Sequence, residues 1–472
     1  SSLVLLRRRH SHRRRDGAAM GSGGDNSGSD DYDADASEEL EDSSSDGDSS
    51  CDTDASEIAP PQRLAFVVMT CVISGYTLIG PLQHDLKHAL HVSDAGAVNE
   101  MFIQSVALVQ WGKTFMTLGQ NVLLSFLTSA QRVYVAMCLM FFGVLIPPLM
   151  IFTFGSLWLG WVPLAYGSIG LALGVFECTF LSVISPLGPL TKSWAIMGFP
   201  AAFFIVNVFF QSLRALFNVP VVISFWYVAL CLPVGILCFK HIAPKDSKVD
   251  GKSYKQANLS SSLREWNSWL PKLLPFALVN IACHFVMESV LPAVFNTYNA
   301  KQVSLLGPEN TTHLMKTEWF LVIFSFVMGI GDIISRRFGY CFDLKTTSAN
   351  YLALAFAFCC TILGLVLTIQ GIAALTWFSA FLAFFGNGFN YAVTSKYIDK
   401  FVPRKHNLAA YSVWMCVGYC GAIAGAVLVS VVKSWICGGR QYEYQCSSGM
   451  SQPGPAVLGN ATGNWSNASV YS

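Results

Sequence analysis

From Arg63 onward the chain repeats one pattern: about 20 mostly apolar residues, then a short polar or charged break. The apolar runs cover 63–82, 99–127, 132–154, 157–186, 193–216, 219–240, 271–296, 317–338, 347–370, 372–396 and 409–435, eleven in all. Each is long enough to cross ~30 Å of hydrocarbon as a helix. Lipid offers the backbone no hydrogen-bond partners, so a spanning segment must satisfy its own N–H and C=O groups, as a helix does. A β-barrel would show alternation over segments of roughly ten residues, and none is visible. The pattern predicts an all-α polytopic membrane protein with eleven transmembrane helices.

Composition sharpens this reading. Only 12% of the 472 residues are charged and 53% are hydrophobic, against roughly 25% charged in a soluble domain. The formal net charge of +1 conceals an asymmetry: residues 1–60 hold 15 of the 29 acidic side chains and 6 of the 30 basic ones. The body that follows is therefore mildly basic. Within the first segment, residues 21–57 are dominated by Gly, Ser, Asp and Glu, too polar to offset ordering entropy, and residues 1–60 are expected to form a disordered, acidic cytoplasmic tail. Residues 3–15 set an apolar tetrad before six arginines, the reverse of the order in a secretory signal. The 14 cysteines show no C-x-x-C or Cys/His metal spacing, so no metal, no cofactor and no disulfide framework is expected.

Lysine and arginine positions orient the spans. The 241–270 loop carries Lys245, Lys248, Lys252, Lys255 and Arg264; the break after the eighth run has Arg336, Arg337 and Lys345; the break after the tenth has Lys400, Arg404 and Lys405. With eleven crossings these segments share the side of the N-terminus, read as cytoplasmic. The opposite side receives the N-x-S/T acceptors Asn310, Asn460, Asn464 and Asn467, glycosylation sites if that side is extracellular. The chain then divides into an N-terminal six-helix bundle over 61–240, a cytoplasmic loop over 241–270, a C-terminal five-helix bundle over 271–435 and an extracellular tail over 436–472. Two bundles around a central site form the usual build of a secondary transporter, here a major-facilitator-like transporter fold in a 6+5 arrangement at the plasma membrane.

Ionisable residues inside a span are costly and mark function by default. They are Lys113, Glu177, Glu288, Asp332 and Arg336. Asp332 and Arg336 are four residues apart and share a helix face. Gly329 and Gly331 thin the helix just before them. Glu177 lies deep in its run without a local counter-charge, which makes it, with Lys113, a candidate for proton coupling. Glu288 is near the outer end of its run, where the interface can solvate it, and His284 reads as a packing residue. Lys192 and Arg214 sit near span ends, where snorkelling explains them. Just past the first run, His84 and His88 share a face beside Asp85, more simply an amphipathic connector than a metal site. No paired constellation at the interface points to an enzyme, and nothing points to nucleic acid.

The C-terminal half carries a resemblance. Phe384-Phe385-Gly386-Asn387-Gly388, then Pro403-Arg404-Lys405, then the Gly/Ala-rich stretch from Gly418 to Gly425 resemble the equilibrative nucleoside transporter family. Asp332-Ile333-Ile334-Ser335-Arg336 is similar to its D-x-x-G-R signature, with Ser335 in place of Gly. Leu291-Pro292-Ala293-Val294 is similar to its aromatic-Pro-Ala-Val, with Leu291 at the aromatic. Thr77 to Gln83 is a looser match to the first-span motif, with Gln83 near its Asn, and Glu177 falls at or beside the family's substrate-binding Gln. The resemblance covers 271–435 well and the N-terminal half poorly. It implies a membrane transporter for nucleosides or nucleobases working by alternating access, facilitative or proton-coupled, with Asp332, Arg336, Glu177, Gln83 and Leu291 as substrate contacts. The alternative is a major-facilitator-type carrier for another small polar solute, such as a sugar or an amino acid.

Overall fold

The structure is a computed structural model that describes residues 60–78, 83–92, 97–243, 259–298, 302–306, 313–342 and 346–438. The acidic tail, the four glycosylation acceptors and Pro81 lie outside the described residues. The elements, in chain order, are α1 (Pro60–Thr77), α2 (Gln83–Ala89), α3 (Ala97–Leu123), α4 (Ser129–Ile146), α5 (Trp161–Ile184), α6 (Pro189–Phe203), α7 (Gln211–Phe217), α8 (Val221–Ile242), α9 (Leu259–Arg264) and α10 (Trp266–Thr297). Strands β1 (Gln302–Ser304) and β2 (Leu314–Lys316) follow, then α11 (Thr317–Cys341), α12 (Thr347–Ile369), α13 (Ala373–Phe401), α14 (Asn407–Val427) and α15 (Val429–Gly438).

Among the described residues, eight helical segments are long and apolar enough to cross a membrane, from Ser129–Thr153 to Asn407–Val427. The other three apolar runs are also helical, as α1, α3 and α13, but their composition is more polar. Helix α1 opens with Pro60-Pro61-Gln62-Arg63, α3 carries Gln110, Lys113, Gln120 and Asn121, and α13 carries Asn387, Asn390, Lys396 and Asp399. Half of those polar residues on α3 and α13 are buried against protein: Lys113, Gln120, Asn387 and Asn390. Large apolar side chains face outward instead: Leu352, Phe356, Leu363 and Val366 form an exposed stripe on α12, and Trp111, Phe115 and Val122 do so on α3. An apolar exterior over a polar-lined interior identifies an integral membrane protein.

Local chemistry sets the helix ends. Thr128 and Gln131 form a reciprocal capping box at the start of α4. Pro147 and Pro148 supply no N–H, and α4 widens there into a π-helical turn over Pro147–Thr153. Pro200 inside α6 precedes a second wide turn, Phe204–Phe210, which leads into α7. Asn218, left-handed at φ 52°, closes α7 through its N–H on the Arg214 carbonyl. The structure departs from the sequence pattern in several places. The seventh long helix begins at Trp266, because Pro271 and Pro275 lie within its body and not at its start. The last apolar run breaks at Leu428 into α14 and α15. A short antiparallel hairpin, Gln302 opposite Lys316, joins α10 to α11.

Helices α1, α4, α5, α6 and α8 pack on one another, with α3 against α5; α10 packs with α12, α13 and α14, and α11 and α12 flank α13. The two sets meet along α3–α14 and where α11 crosses α6 and α7. Small residues bring backbones together at these contacts. A Cβ on Gly421 or Gly425 would strike the Ile281 or Phe285 backbone of α10, and one on Gly170 or Gly174 the Val109 or Lys113 backbone of α3.

Candidate functional site

The ionisable residues of the spans converge on the seam between the two sets. On α11, Asp332 accepts from Arg336 Nε at 2.8 Å, and both side chains are buried. Ser335 Oγ donates to the Asp332 carbonyl at 2.9 Å. Helix α13 lies against this pair at Gly388, where any Cβ would collide with the Asp332 and Ser335 side chains. The Asn-Gly stretch of α13 is thus explained as the close approach that seats the pair. On the next turn of α13, Tyr391 faces Arg336: the guanidinium carbon lies 4.6 Å from the Tyr391 ring centre and 4.8 Å from that of Phe199 on α6. Arg336 Nη1 is buried and has no hydrogen-bond partner.

From Tyr391 the network continues into the other set. The Tyr391 hydroxyl donates to Glu177 Oε1 on α5 at 2.9 Å, and the Tyr419 hydroxyl of α14 donates to Glu177 Oε2. The Tyr419 ring also carries the Lys113 ammonium of α3, 4.1 Å from its centre, and the Tyr76 ring of α1 lies 5.0 Å away on another side. Tyr76 donates to Glu288 Oε1 on α10 at 3.2 Å and accepts from Gln110 Nε2 at 3.4 Å. His284, one turn before Glu288, meets the Tyr419 ring edge-on. Acids and bases on four helices are therefore linked largely through tyrosines on three others.

Of the residues marked by the sequence, Asp332, Arg336, Glu177 and Lys113 are brought together here. Leu291 is half-buried on α10, one turn beyond Glu288, within an apolar cluster with Val290, Val294 and Phe320. Gln83 is not drawn in: it opens α2, which packs on the Pro147–Thr153 turn. That helix is a connector, and its Asp85 pairs with Arg214 at 2.8 Å beside a cavity of about 460 Å³ also lined by His88 and Phe152. Tyr76, Gln110, Phe199, Tyr391 and Tyr419 were missed. The one signal for the three tyrosines was a phenol in mid-span, whose hydroxyl needs a buried partner.

A second ionic cluster lies at the end of the bundle where α6 begins. Lys192, read from sequence as snorkelling, is instead 1% exposed and bonds Asp399 of α13 at 2.6 Å. Tyr411 of α14 also accepts from Lys192, and Ser185 donates to Asp399 at 3.5 Å. At the same end Glu265, exposed beside the start of α10, meets Lys405 at 2.7 Å and His406 at 3.0 Å. The Lys405 hydrogen bond, then that of His406, holds the Glu265 carboxyl below its usual range.

No protein-family model matches the chain, and no curated protein sequence does. Among solved structures, the human organic anion transporter MFSD10 (TETRAN) is similar in fold, with a TM-score of 0.54 at 12% identity over 83% of this chain and 97% of that one. The likeness spans nearly all of that protein, so the chain shares its fold. The expectation of a helical, polytopic membrane protein holds at that level.

Proposed function

We propose that the protein is a membrane carrier that moves nucleosides or nucleobases by alternating access. The observation that carries this reading is Arg336. Its guanidinium is buried, flanked by two aromatic rings, tied to Asp332 through Nε, and left with an unused Nη1 donor. A buried donor without a partner costs about 1–3 kcal/mol, and a substrate that offers an acceptor recovers it. Flat aromatic surroundings suit a planar heterocycle, and the Asp332 and Glu177 carboxylates suit sugar hydroxyls or ring N–H groups. The resemblance of the α11, α13 and α14 motifs to equilibrative nucleoside transporters supports the same substrate class.

In this reading the bilayer is crossed eleven times in a 6+5 arrangement, α1, α3 and α13 included. The N-terminus and the Lys192–Asp399 end are cytoplasmic, and the C-terminal tail is extracellular at the plasma membrane. Shortening of the gel shift produced by peptide-N-glycosidase, when Asn460, Asn464 and Asn467 are replaced by Gln, tests that orientation. An organic anion, the substrate class in the name of the structural neighbour, fits less well: three carboxylates face two cations along the network. A sugar or amino acid makes poorer use of the rings around Arg336. Purified protein in liposomes should accumulate labelled adenosine, uridine or hypoxanthine in preference to glucose, leucine and p-aminohippurate. Uptake of one of the last three without the first three would overturn the reading.

A further inference from the structure

Charge balance along the network is uneven. Asp332 and Arg336 neutralise each other at 2.8 Å. That leaves Lys113 against two carboxylates, Glu177 and Glu288. Lys113 and Glu177, which the sequence marks for proton coupling, are joined through one tyrosine: Tyr419 donates its hydroxyl to Glu177 and offers its ring to the Lys113 ammonium. A phenol that donates to a carboxylate gains electron density in its ring, which strengthens its hold on a cation. Glu177 receives a second phenolic donor from Tyr391 at 2.9 Å. Its charge is solvated on both oxygens.

Glu288 has no comparable support. It is half-buried, and among the described residues the Tyr76 hydroxyl at 3.2 Å is the one hydrogen-bond donor it meets. Among the described residues, Tyr76 of α1 and Lys113 of α3 act on it directly, and Glu177 of α5, His284 of its own α10 and Tyr419 of α14 join the same network around Lys113. Lys113 is the one fixed cation among them, and its ammonium sits over the Tyr419 and Tyr76 rings. Beside Tyr76, Gln110 spends its Nε2 on the Tyr76 oxygen, and its buried Oε1 has no donor. Glu288 and Gln110 thus supply an acceptor surplus and one uncompensated negative charge, in a setting where an unpaired buried charge is expensive.

We propose that Glu288, with Tyr76 and Gln110, binds one positive charge in the transport cycle: the ammonium of a cationic substrate, or a proton carried with a neutral one. The proposal rests on the carrier reading above and adds a coupling site to it. Leu291, one turn further along α10, then supplies the apolar wall beside the charge.

The test uses the full-length protein in liposomes clamped at zero membrane potential, with labelled phenethylamine and labelled adenosine as probes, each with and without an inward proton gradient. Wild type, Glu288→Gln and Glu288→Asp are compared at equal reconstituted amounts, with monodispersity checked by size exclusion. If the charge belongs to substrate, phenethylamine enters, adenosine competes with it, and Glu288→Gln lowers amine uptake by about tenfold or more while Glu288→Asp retains most of it. If the charge is a proton, the gradient drives adenosine above equilibrium in wild type and Glu288→Asp, and Glu288→Gln loses that response. Adenosine uptake that ignores the gradient, with no amine uptake, overturns the proposal and leaves the carrier reading standing. Loss of both adenosine and amine transport in wild type removes the carrier reading and the proposal with it.

Discussion

The Asp332–Arg336 pair offers the sharpest separation of structure from function. Each side chain is almost fully buried and each is the other's ionic partner. Removing one alone, as Asp332→Leu or Arg336→Met, strands a buried charge at a cost of about 3–5 kcal/mol. Arg336→Met also forfeits the stacking of the guanidinium on Phe199 and Tyr391, about 2 kcal/mol for a desolvated cation–π contact. The double replacement strands neither charge, and apolar substitutes for a buried pair are often neutral for stability. Both singles should therefore lower the thermal midpoint in detergent, and the double should regain most of the loss.

Transport should follow a different order. The double variant has no donor to replace Arg336 Nη1 and no Asp332 acceptor, so it should fold without transporting. Arg336→Lys is the finer probe. It keeps the charge and the bond to Asp332 but loses the planar fork and its spare donor. One charge-assisted hydrogen bond contributes about 1.5–3 kcal/mol, so the half-saturation constant for adenosine should rise by about tenfold or more. A double variant that transports adenosine at the wild-type rate would refute the assignment, because the pair would then be structural alone.

The Lys192–Asp399 bond should respond asymmetrically. Lys192 is enclosed, whereas Asp399 is 28% exposed at its side chain. Asp399→Asn leaves an enclosed ammonium and should lower the thermal midpoint more than Lys192→Met, which leaves a carboxylate that water can reach. Tyr419→Phe removes one donor from Glu177 and keeps the ring under Lys113, whereas Tyr419→Leu removes both. The second should lose about 2 kcal/mol more in unfolding free energy than the first, read in a denaturant titration. Gly421→Val drives a side chain into the Ile281 backbone of α10, and the variant should be retained inside the cell, as surface biotinylation would show, while Val427→Ala on an exposed face should not be.

How much was legible depended on which force wrote each feature. Helices were legible because lipid demands a long apolar run, and that demand is local. Boundaries were less so: the seventh run reads as starting at Pro271, yet prolines are tolerated inside α10, which starts at Trp266. The close approach of α13 to α11 was legible only as a motif, since Gly388 is needed by a partner 53 to 56 positions earlier in the chain. Asp332 with Arg336 was legible because both lie on one helix. Glu177 and Lys113 were legible as costs without visible compensation. What compensates them is tyrosine, and a tyrosine among 16 carries no mark of which carboxylate it will meet. Lys192 was misread for the same reason: its partner, Asp399, is more than 200 residues away.

The way these charges are linked bears on motion. A direct ion pair across a seam must lose its full bond when the two sides part, and in a low-dielectric setting that loss is large. Along α11, Asp332 and Arg336 form a pair within one helix, so no separation of the sets breaks it. Across the seam, the connections are phenol to carboxylate and ammonium to ring: Tyr391 and Tyr419 to Glu177, Lys113 to Tyr419, Tyr76 to Glu288. Each such contact contributes about 1–3 kcal/mol, and its polar atoms can turn to water or substrate when it opens. The exception is Lys192 with Asp399, a direct ion pair between α6 and α13 at one end. The arrangement puts the direct ion pair at one end and leaves weaker, exchangeable links in the middle, which in the proposed carrier a solute would replace one at a time.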